Sequence, residues 1–248
     1  MSRVVFLTSS PSGPLDGSRM VDGLDHMNQF VGNLHRYWPT NARCLMITAA
    51  PDEAERNDEM TAFFANAVKR AVLTWSAFDL WDRRTLDFSK ETLHSYGVIF
   101  LGGGHVPTQN SFFEEIGLRE KIQDFEGIII GISAGTMNSA DEVYAQPELP
   151  GESENPEYKR FIRGLGLTKT MILPHYQMVK DNELDGKRLY EDITYGDSFG
   201  KRFLVLPDGS YLLSIEGKES VWGEAWEISN GKLHKICENE QSREYEFQ

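Results

Sequence analysis

The segment Gly131-Ile132-Ser133-Ala134-Gly135 is the part of this chain best suited to covalent chemistry. A serine hydroxyl is barely ionised at neutral pH, so it attacks a carbonyl only when a neighbouring base takes its proton. The approach to Ser133 sets it apart from the other serines. Residues 127–131 hold three consecutive isoleucines and predict a strand buried on both faces, and a helix is expected from Thr136 onward. Strand, sharp turn and helix in that order form a nucleophile elbow, which lifts the side chain clear of the sheet. Gly131, Ala134 and Gly135 are small where larger side chains would clash, and a helix start offers free N–H groups and positive dipole to a developing oxyanion. The plain alternative is a tight turn with no chemistry.

Six histidines could supply the base: His26, His35, His94, His105, His175 and His234. His26 and His35 fall on the solvated face of the first expected helix, and His94 falls in a polar loop. His105 directly follows the triplet Gly102-Gly103-Gly104. His234 falls in a C-terminal hairpin region. His175 follows the apolar run Met171-Ile172-Leu173-Pro174, so it stands at a strand end and is the best base by position.

Positioning these groups requires a sheet. Strands are expected at Val4–Thr8, 44–49, 78–81, 96–101 and 127–131, with helices over 18–38, 53–75 and 108–125 between them. Such alternation predicts an α/β fold, a mostly parallel sheet with helices on both faces, and in such sheets functional residues gather at the carboxyl ends of strands. The last third differs. Residues 203–206, 211–215, 224–228 and 232–236 look like strands, with turn signals at Pro207-Asp208-Gly209-Ser210 and Ser229-Asn230-Gly231-Lys232, which predicts an antiparallel C-terminal hairpin extension. No repeat or linker divides residues 1–248, so one domain is expected.

The chain carries 25 basic and 38 acidic residues, a net charge of −13, which repels phosphate backbones and argues against nucleic acid as a partner. It has no apolar run long enough to cross a membrane and no signal-peptide pattern, so no membrane partner is expected. Cys44 and Cys237 make neither a disulfide framework nor a metal pair, so a cytoplasmic setting is the simpler reading.

Leu101-Gly102-Gly103-Gly104, the Ser133 segment, Gly164-Leu165-Gly166-Leu167 and Pro174-His175-Tyr176 together resemble the peptidase E and cyanophycinase family of serine peptidases, in order and spacing, across about residues 95–215. The resemblance implies a fold like that of class I glutamine amidotransferases, with Ser133 as nucleophile and His175 as general base. It implies an oxyanion hole of backbone N–H groups near Gly103, Gly104 and Ala134, and no metal or organic cofactor. The family's third triad member matches Asp208, although Asp before Gly is also simply good turn chemistry. Glu148, in the loop after the elbow, is the competing acid. The implied substrate is a small peptide, with aspartate-containing peptides the family's habit. His105 departs from the asparagine that family members often carry there, and is a candidate pocket residue. Arg160, Arg163 and Lys180 are the cations a substrate carboxylate would meet. A homodimer is allowed, and nothing in the sequence requires one.

Two other classes remain open on sequence. An α/β-hydrolase esterase would use Ser133, Asp208 and His234 in that chain order. A binding protein on the same fold would have no activity at all. Glutamine amidotransferase chemistry needs a cysteine at the elbow, where this chain has Ser133.

Overall fold

Successive residues of the central strands enter opposite cores. Val5, Leu7, Leu45, Ile47, Ile99, Leu101 and Ile129 pack on one side, and Val4, Phe6, Cys44, Met46, Val98, Phe100, Ile128 and Ile130 on the other. A strand buried on both faces needs apolar residues at every position, which is why these strands are continuous hydrophobic runs.

The computed structural model describes residues 2–13, 23–85 and 88–246. Its first part runs β1 (Val4–Thr8), α1 (Phe30–Tyr37), β2 (Ala42–Ile47), α2 (Ala54–Arg70), β3 (Trp75–Trp81), α3 (Lys90–His94), β4 (Val98–Leu101), α4 (Val106–Glu115), α5 (Leu118–Ile122), β5 (Ile128–Ile132) and α6 (Ala134–Met137). Then come β6 (Glu142–Tyr144), β7 (Phe161–Arg163), β8 (Met171–Leu173), α7 (Tyr176–Val179), β9 (Glu183–Leu184), β10 (Lys187–Arg188), β11 (Arg202–Val205), β12 (Tyr211–Ile215), β13 (Lys218–Trp222), β14 (Ala225–Ser229), β15 (Lys232–Cys237) and β16 (Ser242–Tyr245).

Eight strands form the main sheet in the order β16-β13-β12-β1-β5-β4-β2-β3. The five from β1 to β3 are parallel, and β12, β13 and β16 continue the sheet antiparallel. Helices α1 and α2 cover one face with Val31, Leu34, Phe64 and Val68, and α4 and α5 cover the other with Phe112, Phe113, Leu118 and Ile122. A second sheet, β15-β14-β11-β8, packs its own core, including Phe203, Val205 and Leu173. The expected α/β architecture is present, with its antiparallel part divided between two sheets.

Several boundaries differ from expectation. The helix expected over 18–38 is helical only from Phe30, after a short 3-10 turn at Met27–Gln29; residues 18–22 lie outside the described residues. Asn28 and Gln29 have φ of 50° and 58°, and the Asn28 side chain donates to the Gly209 carbonyl and accepts from the Glu240 N–H, so tertiary bonds replace helical ones there. His26 is therefore outside α1, and His94 ends a short helix rather than lying in a loop. The helix expected over 108–125 is two, broken where Gly117 turns left-handed at φ 60°. Pro207–Ser210 is not a hairpin turn: it carries the chain from β11 in one sheet to β12 in the other. Asn230-Gly231 does close a hairpin, β14–β15, with φ of 47° and 75°.

Candidate active site

Ser133 follows β5 directly and holds φ 51° and ψ −110°, a conformation that L-residues adopt only where surrounding bonds enforce it. The enforcing bonds come from β1. The Thr8 carbonyl accepts from the Ser133 N–H at 3.2 Å and from Thr136 Oγ1 at 2.7 Å, and Thr8 Oγ1 donates to the Gly131 carbonyl at 2.7 Å. The small residues are required sterically. A Cβ at Gly135 would stand 2.2 Å from the Leu101 carbonyl oxygen, and one at Gly131 would stand 2.8 Å from Thr136 Oγ1. The helix after the elbow, α6, has four residues, too short for the macrodipole anticipated from the sequence; local N–H groups remain.

The glycine triplet lies against this turn. The Gly102 carbonyl accepts from the Gly135 N–H at 3.1 Å and from Gln109 Nε2 at 2.7 Å. A Cβ on Gly103 would sit 3.3 Å from Ser133 Cβ, and one on Gly104 would sit 2.8 Å from Ala49 Cβ. Among the described residues neither the Gly103 nor the Gly104 N–H is paired with a backbone carbonyl, and Ala134, as first residue of α6, has no intrahelical acceptor. Backbone donors thus stand beside the serine.

His175 follows β8 and takes a left-handed φ of 58°. Its Nε2 lies 2.8 Å from Ser133 Oγ and its Nδ1 lies 2.7 Å from Asp208 Oδ1. Asp208 is on the turn between the two sheets, with its side chain 2% exposed. Burial raises its carboxyl pKa, but the hydrogen bond and charge of His175 and the hydrogen bonds from Ser9 and Gln177 outweigh that and hold it below the ordinary carboxylate range. An ionised Asp208 accepts only, so Nδ1 carries the proton and Nε2 is left to accept from the Ser133 hydroxyl.

Sequence reasoning missed two partners of Asp208. Ser9 Oγ donates to Asp208 Oδ1 at 2.7 Å and accepts from the His175 N–H at 2.7 Å, joining acid and base through one hydroxyl. Gln177 Nε2 donates to Asp208 Oδ2 at 2.7 Å, and Gln177 Oε1 accepts from the Asp208 N–H at 3.0 Å. Ser9 immediately follows β1, so the strand-end rule that selects His175 also applies to it.

The remaining candidates are dispersed. Glu148 does not hold His175. It lines a cavity of about 210 Å³ together with Ser133, His175, Val106, Met137 and Glu183. His105 is outside that lining; it bonds Thr108 Oγ1 and Glu152 Oε1, both at 2.8 Å. Arg160 is paired with Asp197 at 2.6 Å, and Arg163 lines a separate depression with Asn110 and Arg119, so neither reaches the Ser133 cavity. Lys180 is exposed and also outside the lining. His234 is exposed on β15, the edge strand of the second sheet, so the arrangement an esterase would need is not assembled. Among the described residues no group of three or more His, Cys, Asp or Glu is placed as a metal site.

Comparison with known proteins decides the family. The model of peptidase family S51 matches residues 17–221, most of the chain. The chain belongs to that family. This S51 peptidase is a serine-type enzyme, as the resemblance implied. Its fold is similar to that of a peptidase from an acI-B1 Actinobacterium, with a TM-score of 0.65 at 14% sequence identity, covering 99% of this chain and 98% of that one. It is also similar to a putative peptidase E protein from Listeria monocytogenes EGD-e, with a TM-score of 0.54 at 14% identity, covering 96% of this chain and 100% of that one. At such identity the likeness speaks for the fold alone. No curated protein matches the S51 peptidase. No helix among its described residues is long and apolar enough to cross a membrane.

Proposed function

We propose that this S51 peptidase hydrolyses small peptides with Ser133 as nucleophile, His175 as general base and then acid, and Asp208 as the group that orients and charges His175. The observation that carries the reading is the continuous relay from Ser133 Oγ to His175 Nε2 at 2.8 Å and from His175 Nδ1 to Asp208 at 2.7 Å. Ser133 Oγ attacks the scissile carbonyl while Nε2 takes its proton. The tetrahedral oxyanion is met by the N–H groups of Gly103, Gly104 and Ala134, donors typically worth about 2.7–4 kcal/mol each in such sites. The imidazolium that results is stabilised by Asp208 and returns the proton to the leaving amine. Water then repeats the sequence on the acyl-enzyme.

The small volume of the cavity supports a small substrate, since drug-sized ligand pockets run about 300–1,000 Å³. The family's taste for aspartate finds no support in this lining, which holds Glu148 and Glu183 and no lysine or arginine. Both cysteines are free and buried, which fits the reducing cytoplasm where we place the enzyme.

The test is hydrolysis of a dipeptide and tripeptide panel, with fluorophosphonate labelling in parallel. Ser133→Ala should lower kcat by about 10⁶-fold and His175→Ala by a comparable factor, while His234→Ala leaves it unchanged. An essential His234, or labelling that survives Ser133→Ala, would overturn the assignment.

A further inference from the structure

We infer that Gln177 is a positioning residue for this reaction: its carboxamide clamps Asp208 in the orientation in which the acid meets His175. The inference deepens the hydrolytic reading and rests on it for the roles of Ser133, His175 and Asp208.

Asp208 needs such a clamp because no strand holds it. It stands on the turn that leaves β11 for the other sheet, where the bond of the turn itself runs from the Ser210 N–H to the Pro207 carbonyl and leaves Asp208 out. The Asp208 N–H donates instead to Gln177 Oε1 at 3.0 Å, and Gln177 Nε2 donates to Asp208 Oδ2 at 2.7 Å. Both bonds end on one planar amide. They close a ring that spans the backbone nitrogen and the carboxylate, and so fix the side-chain torsions between them. Turned over, the amide would set N–H against N–H and oxygen against carboxylate, so only this orientation fits. Ser9 and His175 both bond Oδ1, and among the described residues Gln177 is the only side chain bonded to Oδ2.

The clamp and the base share one short segment. Gln177 is two residues beyond His175, and the His175 carbonyl accepts from the Met178 and Val179 N–H groups at 2.8 and 3.1 Å. The Tyr176 N–H between them donates to the Leu206 carbonyl at 3.2 Å. Residues 175–177 thus grip residues 206–208 through His175, Tyr176 and Gln177 in turn, which ties the acid to the chain that carries the base. Of the side chains on the carboxylate, Ser9 is fully buried, His175 half-buried and Gln177 exposed, so a change at Gln177 reaches Asp208 without opening a core. Burial raises the Asp208 carboxyl pKa, and Gln177 joins His175 and Ser9 in lowering it. The titratable groups facing this pair are His175, and Asp25 against the adjoining Gly209.

Three readouts on Gln177→Ala and Gln177→Glu test the clamp: peptide kinetics, the rate at which a fluorophosphonate labels Ser133, and the downfield proton signal of the His175 Nδ1–H. Gln177→Ala should lower kcat and the labelling rate by about tenfold, with KM and melting temperature near wild type. Its Nδ1–H signal should move upfield or be lost to exchange with water. Gln177→Glu keeps the shape of the side chain but sets an ionised oxygen against Asp208; once protonated, it donates to Oδ2 as the amide does. The rate of that variant relative to wild type should therefore rise as pH falls from about 9 to about 5, which a packing role would not produce. A kcat held by Gln177→Ala, a loss confined to KM or to melting temperature, or a Gln177→Glu ratio that stays flat with pH overturns the inference. The proton signal keeps the two readings apart, because it needs no substrate. If wild-type Ser133 is not labelled and no peptide is cleaved, the hydrolytic reading falls. The signal then decides the clamp by itself: a change in Gln177→Ala upholds the hold on Asp208, and an unchanged signal overturns it.

Discussion

The two walls of the Ser133 site are built in different ways. The inner wall holds Ser133, which directly follows β5, His175, one residue beyond β8 after Pro174, and Asp208, after the Leu206-Pro207 step that follows β11, with Ser9 after β1 binding two of them. Every one of these side chains is set by a strand inside a packed sheet. The outer wall is made of residues 146–153 and the β9–β10 hairpin, short segments with exposed charges joined by side-chain bonds from Glu152 and Asp185. Such a construction would have sheets position the groups whose geometry must be held closely, and loops carry the groups that choose a substrate.

If that division is right, changes on the inner wall should cost rate and changes on the outer wall should cost selectivity or loop order. The largest effect after loss of the nucleophile or base is expected from Asp208→Asn. Loss of the charge frees Nδ1 from its donor role and should lower kcat by about 10⁴-fold with little change in KM. The same variant carries a pH signature. Because the folded-state carboxyl lies below its ordinary value of 3.8, the stability it confers is present above that value and is lost as pH falls through the lower folded-state value. In urea titrations wild type should exceed Asp208→Asn at neutral pH, and the gap should close below about pH 3.8. A gap that widens in acid would contradict the assigned ionisation.

Ser9→Ala comes next. It removes a donor from an ionised acceptor and an acceptor from the His175 N–H, so kcat should fall by about ten- to a hundredfold, with the acid limb of the pH–rate profile moving and KM holding. An unchanged profile would make Ser9 a packing residue. The smallest effect is expected from Asp185→Ala. It should cost less than about 1 kcal/mol of global stability, being a partly exposed loop contact, yet raise amide exchange at Gly151 and Ser153 by releasing their N–H groups. If instead it lowers kcat as much as Ser9→Ala does, the two walls are not functionally distinct.

The inner wall was largely legible in the sequence because its cause is local. Three isoleucines followed by Gly-x-Ser-x-Gly state a buried strand and a crowded turn, and Met171-Ile172-Leu173-Pro174 before His175 states another strand end. Asp208 was harder, since its turn looks the same whether it closes a hairpin or joins two sheets, and only the pairing of β11 with β14 and of β12 with β1 separates these. Gln177 gave no signal of function and Ser9 only its place at a strand end, because a serine's worth here depends on a partner 199 residues away. The outer wall was opaque for the same reason. Arg160 and Arg163 are near Glu148 in sequence and point to carboxylate recognition, but Asp197 holds one, and the other lies at a different depression. Charged loop residues take their roles from cross-chain bonds that no spacing rule encodes.

The hydroxyl of Ser9 also bears on how the enzyme is born. On the ribosome β1 emerges long before β5, and longer still before β12, yet it must lie between those two strands before Ser9 can join His175 to Asp208. A nascent chain can therefore carry Ser133, and even His175, before the Ser9 bridge exists. The complete set of bonds around His175 and Asp208 thus forms only once β1 is paired on both edges, which ties the finished site to completion of the sheet.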